Sequence, residues 1–446
     1  MSLQGIYLAS RALDAHQRAL ETTGQNIANV NTPGYSRQVT ALRSVSSSDS
    51  TTLAGVSNGV GGGVDASIVL RSHASWLDRS TDSLRAQVGD ATIASRLATR
   101  VEGVIGEPSD TGLQASLDRF FAAFQAVADR PNDPTLRTAA VRSATQVSDR
   151  FQQAFFDLDA VQSEVQDGVE SNIHQLNSLT QQIAGLSRTI GSAQAVGQPA
   201  SELLDQRDQL LNQLTQLTGA QVSGRDGGDL VVSVGGITLV QDGEAQTIQL
   251  DPEGSPSLTD GTKLVASGGE LGARLKAVQQ EIPNHKSRLM AIRDTLATQV
   301  NQLHATGTDR TGASGGPIFV FDSGGTMSVS SVLQADSNRL AIGDGTAGDG
   351  AIAGTISQLR SQPSILPAYQ TLVGEVATRV SFAKQRLEMT QASLTQLETM
   401  QSSESGVNLD EELATMVAQQ HIYAASARLL STYDQMLDTL IQRTGV

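Results

Sequence analysis

The C-terminal segment from Gly406 to Arg443 repeats apolar side chains along one side of a helix. Alternating steps of four and three from Leu409 meet mostly apolar or small residues, which is a helical and not a strand period. The N-terminal segment has the same pattern from Leu3 to Ile27. Two such stripes are buried most simply against each other, so we predict that the terminal helices form a coiled-coil pair. The predicted contact positions are Leu3, Ile6, Leu13, Leu20, Ile27, Leu409, Leu413, Met416, Tyr423, Leu430, Leu437 and Ile441.

The charges of the two segments agree with this pairing. Residues 1–45 contain four arginines and two acidic residues, whereas residues 406–446 contain two arginines and five acidic residues. The segments therefore carry opposite net charges and attract each other. Amphipathic terminal helices also occur in helical proteins that have no such pair, so the pattern alone leaves that interpretation open.

Composition favours long helices and excludes several classes of function. The 446 residues suffice for roughly three domains, and the aromatic content of 3% is typical of helices packed through small side chains. A net charge of −15 and only four lysines argue against nucleic-acid binding. The absence of cysteine excludes thiolate metal sites, a catalytic cysteine and disulfides. No apolar run is long enough for a membrane span, and polar residues interrupt the N-terminal stripe, so we expect neither a membrane contact nor a cleaved secretory signal.

A proline–glycine turn ends the first helix. We predict that this helix runs from about Ser2 to Ala28 and stops at a turn motif made of Asn31, Thr32, Pro33, Gly34 and Tyr35. Pro33 and Gly34 suit the two central positions of a type II turn. The motif could be an ordinary helix stop, or a fixed corner at which the chain leaves the terminal helices. The Ser-, Thr- and Gly-rich residues 44–65 that follow predict an extended linker.

The interior of the chain predicts nested domains and an elongated molecule. Apolar spacing predicts long antiparallel helices, including a helical hairpin from Val165 to Leu217, and the period changes to two only after Gly219. The predicted fold class is mainly α with a small β portion. The predicted divisions are a terminal helical domain (1–43 and 402–446), the linker (44–65), a helical rod domain (66–218 with 271–306 and 354–401), a small β-hairpin region (219–270) and a short irregular insertion rich in Gly and Asp (307–353).

Enzymatic chemistry has weak support in the sequence. Asp110-Thr-Gly and Asp322-Ser-Gly are two copies of a motif that aspartic proteases use, but Asp110 lies where a helix cap is expected. The six histidines show no metal-ligand spacing, and the glycines at 59 and 61–63 lack the lysine of a phosphate loop. We therefore predict no catalytic residue, no cofactor and no metal site.

Both ends of the chain carry a family resemblance. Residues 26–38 (NIANVNTPGYSRQ) resemble the opening signature of flagellar axial proteins of rod, hook and hook–filament junction, and residues 405–412, 423–428 and 434–440 are similar to their closing motif. Three interior stretches narrow the resemblance to the hook-associated protein 1 family: Gly59-Val60 with residues 71–79, Asp133-Pro134 with Arg137, and residues 203–211 (LLDQRDQLL). Residues 307–353 are shorter than the β-rich insertion of that family, which implies a reduced outer domain.

The resemblance implies a structural role and a set of partners. It implies a secreted, extracellular subunit of the bacterial flagellum that forms a ring of its own copies between hook and filament. Its contacts would be the hook protein, the next junction protein, and an export chaperone at the C-terminal segment during type III export. The terminal contact positions given above would then be the assembly interface, completed only between copies. A hook or distal rod protein is the alternative within the axial proteins, and an aspartic-type protease is the alternative outside them.

Overall fold

The computed structural model describes residues 3–45, 61–345 and 349–444 of the chain. Long helices dominate these ranges, which confirms the predicted mainly α fold class. A five-residue π-helical segment, Ala277–Glu281, joins two of the helices directly. The helices are α1 (Leu3–Ala28), α2 (Ser75–Ile105), α3 (Leu113–Asp129), α4 (Pro134–Ala195), α5 (Ser201–Thr218), α6 (Gly269–Lys276), α7 (Ile282–Thr306), α8 (Ser331–Ala335), α9 (Ala351–Gln358), α10 (Leu366–Ser405) and α11 (Leu409–Thr444).

The strands form small antiparallel sheets. They are β1 (Gln38–Ser44), β2 (Val64–Arg71), β3 (Gln221–Ser223), β4 (Val231–Val234), β5 (Ile237–Gln241), β6 (Glu244–Ala245), β7 (Ile248–Leu250), β8 (Pro256–Leu258), β9 (Phe319–Phe321) and β10 (Met327–Val329). Strands β3 to β6 form one meander, and β1–β2, β7–β8 and β9–β10 are separate pairs. The meander and β7–β8 lie within the predicted β region.

The β1–β2 pair was not anticipated from the sequence. Gln38 lies opposite Arg71 and Ser44 opposite Val64, with an irregularity between Ala41 and Arg43. The predicted linker 44–65 therefore begins and ends in strands, while its residues 46–60 lie outside the described part of the chain. One side of the pair packs on α1, where Thr40 Oγ1 donates to Thr22 Oγ1 at 2.8 Å.

The longest helix, α4, gives the molecule its elongated rod. Its 62 residues span roughly 90 Å at the rise of an α-helix. Asp133 caps it by accepting from the backbone N–H groups of Thr135 and Leu136, and Pro134 occupies its first position. The apolar stripe of its second half packs on α5, which is the helical hairpin predicted from the sequence.

Two apolar cores lie along α4. The first joins its N-terminal half to α3, α7, α9 and the start of α10, and a cluster of phenylalanines including Phe120 and Phe319 fills it. The second joins its C-terminal half to α5 and the β3–β6 meander. Strands β9 and β10 contribute buried residues to the first core, so this part of segment 307–353 packs against the rod.

His304, near the end of α7, binds this segment at two places. Its side chain is fully buried. Nδ1 lies 2.5 Å from the carbonyl oxygen of Gly316, and Nε2 accepts the backbone N–H of Ala341 at 2.8 Å. The ring must therefore be the neutral tautomer with its proton on Nδ1. Burial lowers the pKa of His304, which agrees with this assignment.

Helix α10 runs antiparallel to α2 and leads to the terminal helices. Arg386 pairs with Asp90 at 2.7 Å, and Gln401 donates to Asp78 at 2.6 Å, so residue numbers rise on one helix as they fall on the other. Residues 402–405, which the sequence analysis placed with the terminal domain, complete α10. A three-residue break, 406–408, then separates α10 from α11.

Candidate assembly interface and the corner that holds it

Helices α1 and α11 pack against each other as an antiparallel pair. His16 Nδ1 lies 2.7 Å from Gln419 Oε1, and Asn26 Nδ2 donates to Glu412 Oε2 at 3.0 Å. At the other end Gly5 faces the ring of Tyr433 so closely that a Cβ atom would lie 2.8 Å from it. Buried alanines of α1, at positions 9, 15 and 19, allow the close approach of its neighbours.

The predicted contact positions divide into two groups. Ile6, Leu13, Leu20, Ile27, Met416, Leu430 and Leu437 are partly buried, and the side chain of Leu3 lies outside the described part of the chain. Leu409, Leu413, Tyr423 and Ile441 are exposed, Leu413 by 46% and Ile441 by 67%. The structure therefore does not bring all of them together within one chain.

The side of α11 that faces α1 includes a row of polar residues beside the partly buried Met416, Leu430 and Leu437. Glu412, Gln419 and Ser426, spaced by seven residues, face it, and Glu412 and Ser426 are buried. Searching the sequence for apolar residues could not find this stripe, and a strict seven-residue spacing of polar groups was its only signal. Several apolar residues of α11 remain open to solvent instead: Leu409, Leu413, Val417, Ile422, Tyr423, Leu429 and Ile441.

Asn26 and Glu412 join the two signature ends of the chain. Asn26 is 1% exposed, and its Oδ1 accepts from the Tyr35 hydroxyl at 2.9 Å and the Gln38 N–H at 3.0 Å. Its Nδ2 donates to the Gln38 carbonyl at 2.9 Å as well as to Glu412. Glu412 Oε1 accepts from Arg37 Nε at 2.7 Å. The sequence suggests only a first-turn charge at Glu412, but the carboxylate is 2% exposed and joins the two helices.

The turn at Pro33 and Gly34 has the geometry of a type II turn. The Tyr35 N–H donates to the Thr32 carbonyl at 3.2 Å, and Gly34 has a φ of 80°. Asn31 at its start is exposed. Burial, followed by the nearby carboxylate of Asp205, raises the pKa of Tyr35 to about 12, so its hydroxyl stays protonated as the donor to Asn26.

Helix α5 contacts this turn from the rod side. Gln209 Nε2 donates to the Pro33 carbonyl at 2.9 Å, and Asp205 Oδ2 accepts the Ser36 N–H at 3.1 Å. Arg71, at the end of β2, donates to Asp205 at 3.0 Å and Asp208 at 2.6 Å. Burial alone would lower the pKa of Arg71, but the two carboxylates raise it. Burial raises the pKa of Asp205 in spite of its donors.

The backbone crosses between the terminal helices and the rod at one place. The Arg37 N–H donates to the Ser405 carbonyl at 2.9 Å, and the Ser72 N–H donates to the Arg37 carbonyl at 2.7 Å. These two hydrogen bonds join the three places where the chain passes between the terminal helices and the rod, at Arg37, Ser72 and Ser405. We call this region, residues 26–38, 71–73, 205–209 and 404–412, the corner.

The structure gives no support to the protease alternative. Asp322 lies in the β9–β10 turn, where the N–H groups of Thr326 and Gly324 lower its pKa. A pair of proton-sharing carboxylates would instead raise one pKa. Within the described ranges, no group of three or more His, Asp or Glu side chains could hold a metal ion. No helix there is both long and apolar enough to cross a membrane.

Three family models match successive parts of the chain. Residues 98–319 match the helical domain of flagellar hook-associated protein FlgK. Residues 6–35 match the flagella basal body rod protein model, and residues 401–443 match the C-terminal model of the basal body rod FlgEFG proteins. The two shorter matches coincide with the helices of the terminal pair, and the long match with the rod.

Relatives align over the whole chain. Flagellar hook-associated protein 1 of Bacillus subtilis (strain 168) is 26% identical, over 100% of this chain and 99% of the relative. The protein of the same name from Salmonella typhimurium (strain LT2) is 25% identical, over 97% and 98%. The solved structure of the flagellar hook junction protein FlgK from Burkholderia pseudomallei is similar at a TM-score of 0.49 and 25% identity, over 55% of this chain and 46% of that one. With these family models and full-length relatives, the chain belongs to the flagellar hook-associated protein 1 family, which consists of structural proteins of the flagellar axis.

Proposed function

We propose that this chain is the subunit of a ring that joins the hook to the filament, and that α1 and α11 form the contacts between copies. The observation that carries the proposal is the open apolar surface of α11. Burying one large apolar side chain stabilises a structure by about 1.5–3 kcal/mol. A monomer that functions alone is therefore not expected to leave seven such residues exposed on a single helix. Packing between neighbouring copies would bury them.

The other parts of the chain fit this role. In the proposal, residues 1–43 and 402–446 form the assembly core, with the linker 44–65 leading outward from it. The helical rod (66–218, 271–306 and 354–401) carries the β region 219–270 and the shortened insertion 307–353 away from the axis. The hook protein and the next junction protein would contact opposite faces of the ring.

Export through the flagellar type III route is part of the proposal. The chain would travel unfolded to its extracellular position between hook and filament, and the absence of cysteine suits such a passage. The exposed apolar side of α11 needs a cover before assembly, because such a surface promotes aggregation. A chaperone bound to this C-terminal segment would provide it.

Electron microscopy of cells that lack the protein tests the proposal. Negative staining should show hooks without filaments, and the intact gene supplied in trans should restore the filaments. Cells without hooks would favour the hook or distal rod alternative instead. Normal filaments in the deletion strain would contradict a junction role altogether.

A further inference from the structure

One side of α5 is fixed firmly to the rod. Arg207 is fully buried and donates to Ser187 Oγ of α4 at 3.2 Å and to the Gly227 carbonyl at 2.9 Å, and it also donates to the carbonyl of Arg225. Leu204 and Leu211 on the same helix are buried against α4. The segment 203–211 therefore cannot shift without disturbing the rod.

The other side of α5 holds the main chain of the turn. Gln209 binds the Pro33 carbonyl and Asp205 binds the Ser36 N–H, so the two bonds lie on either side of Gly34. Asp208 adds a third point by binding Arg71, where β2 returns from the terminal helices. A single bond would leave the turn free to rotate, whereas three separated points fix its orientation.

We infer that Asp205, Asp208 and Gln209 form a docking site that sets the direction in which the terminal helix pair leaves the rod. The turn is bound rigidly to α1 through Asn26, Tyr35 and Gln38, so fixing the turn on α5 also fixes α1. Two of its residues bind backbone groups of the turn, the Pro33 carbonyl and the Ser36 N–H, and Asp208 binds the Arg71 side chain. Its importance for assembly rests on the proposed junction function, because copies in a ring need one common angle.

The direction of the terminal helix pair and the folding of that pair depend on different bonds. The bonds that hold α1 to α11, and the backbone links from Arg37 to Ser405 and Ser72, do not involve α5. Loss of the docking site should therefore leave the terminal pair folded and still attached to the rod at Arg37, but with a wider range of angles to it. If the site only stabilised the fold, its removal would instead unfold the terminal pair as well as change its direction.

The absence of cysteine makes this measurable with two introduced labels. Spin labels at Gln420→Cys on α11 and Gln181→Cys on α4, both exposed positions, report the angle through the distance distribution between them. In the otherwise unchanged protein we expect one narrow peak. The double variant Asp205→Ala with Gln209→Ala removes both bonds to the turn, so it should lose this peak and give a broad distribution. Gln206→Ala, an exposed residue on the same helix, is the matched control and should keep the narrow peak.

Thermal unfolding of the rod and hydrogen exchange of α1 and α11 complete the test. Both should be unchanged in the double variant. A narrow peak in the double variant, a broad one in the control, or loss of exchange protection in α1 would each overturn the inference. Complementation of the deletion strain tests the proposed function separately. If the intact gene restores filaments, the double variant should not, and full restoration by the double variant would contradict the docking site while leaving the junction role intact.

Discussion

Glu412 offers the sharpest test of how the terminal helices are joined. Glu412→Ala removes a carboxylate that is 2% exposed and accepts from both Asn26 and Arg37. One of the two N–H groups of the Asn26 amide then lacks an acceptor in a buried place, at a cost of about 1–3 kcal/mol. Arg37 is 30% exposed and can turn to water, so its share is smaller, about 1 kcal/mol or less. The α1–α11 pair should therefore lose roughly 1–4 kcal/mol.

Hydrogen exchange measures this loss where it occurs. A loss of 1 kcal/mol corresponds to roughly 5-fold faster exchange through local opening and a loss of 2 kcal/mol to roughly 30-fold, so peptides from α1 and α11 should exchange at least about 5-fold faster. Peptides from α4 and α5 should not change, because those helices do not contact Glu412. Glu412→Gln keeps an acceptor for Asn26 and should cost only about 1 kcal/mol, and exposed Glu411→Ala is the control. Unchanged protection of α1 in Glu412→Ala would refute the reasoning, as would an equal loss in α4.

Three further outcomes follow from the structure. Gly34→Val places a β-branched residue at a φ of 80° and a Cβ atom 2.3 Å from Gln209 Nε2, so it should strain the turn by about 1–3 kcal/mol. The rod of this variant should melt near the temperature of the unchanged protein, while filament growth fails. A clearly lowered melting temperature of the rod together with normal motility would contradict this. Leu413→Asp puts a carboxylate on the open side of α11 and should block filament growth without changing monomer unfolding, whereas Gln420→Asp on the same helix should do neither. Because burial lowers the pKa of His304, the unfolded chain takes up a proton first, and the stability contributed by the neutral ring is full above about pH 6.5 and falls below it by at most about 1.4 kcal/mol per pH unit. An NMR titration of the His304 ring with a midpoint at or above that pH would show the assignment to be wrong.

Much of the helical architecture could be predicted from local sequence. The apolar residues of α1 and of the α4–α5 hairpin recur at helical spacing, and Pro33 followed by Gly34 predicts the turn. These signals depend on neighbouring residues alone. The β1–β2 pair was missed because 19 residues separate Ser44 from Val64, so no short turn signal links the strands.

A corner at the Pro33-Gly34 turn was one of the two interpretations of the sequence, but the contacts that form it could not be predicted, for the same reason. Asn26 and Glu412 are 386 residues apart, and a polar residue on a helix is normally taken for a surface position. Only the fold shows that the two are buried against each other. Likewise, Leu413 and Met416 look equivalent in a stripe, although one is exposed and the other partly buried. The face of α11 that meets α1 also depends on the polar contacts of Glu412 and Gln419, which the spacing of the apolar residues alone does not reveal.

The pairing of the first helix with the last also determines when each part of the chain can fold. His16 meets Gln419 across 403 residues, so α1 has only the β1–β2 pair to pack on, and no partner helix, until α11 has been made. The rod needs neither helix for its two cores and can form earlier. Once the rod has formed, α5 and the end of α10 present the groups that bind residues 33–37. The folded rod then already holds the two ends of the chain near each other, so pairing α1 with α11 no longer has to close the whole loop between them at once. The terminal pair is therefore the last element to fold, and a chain interrupted before α11 would carry a finished rod with an unpaired first helix.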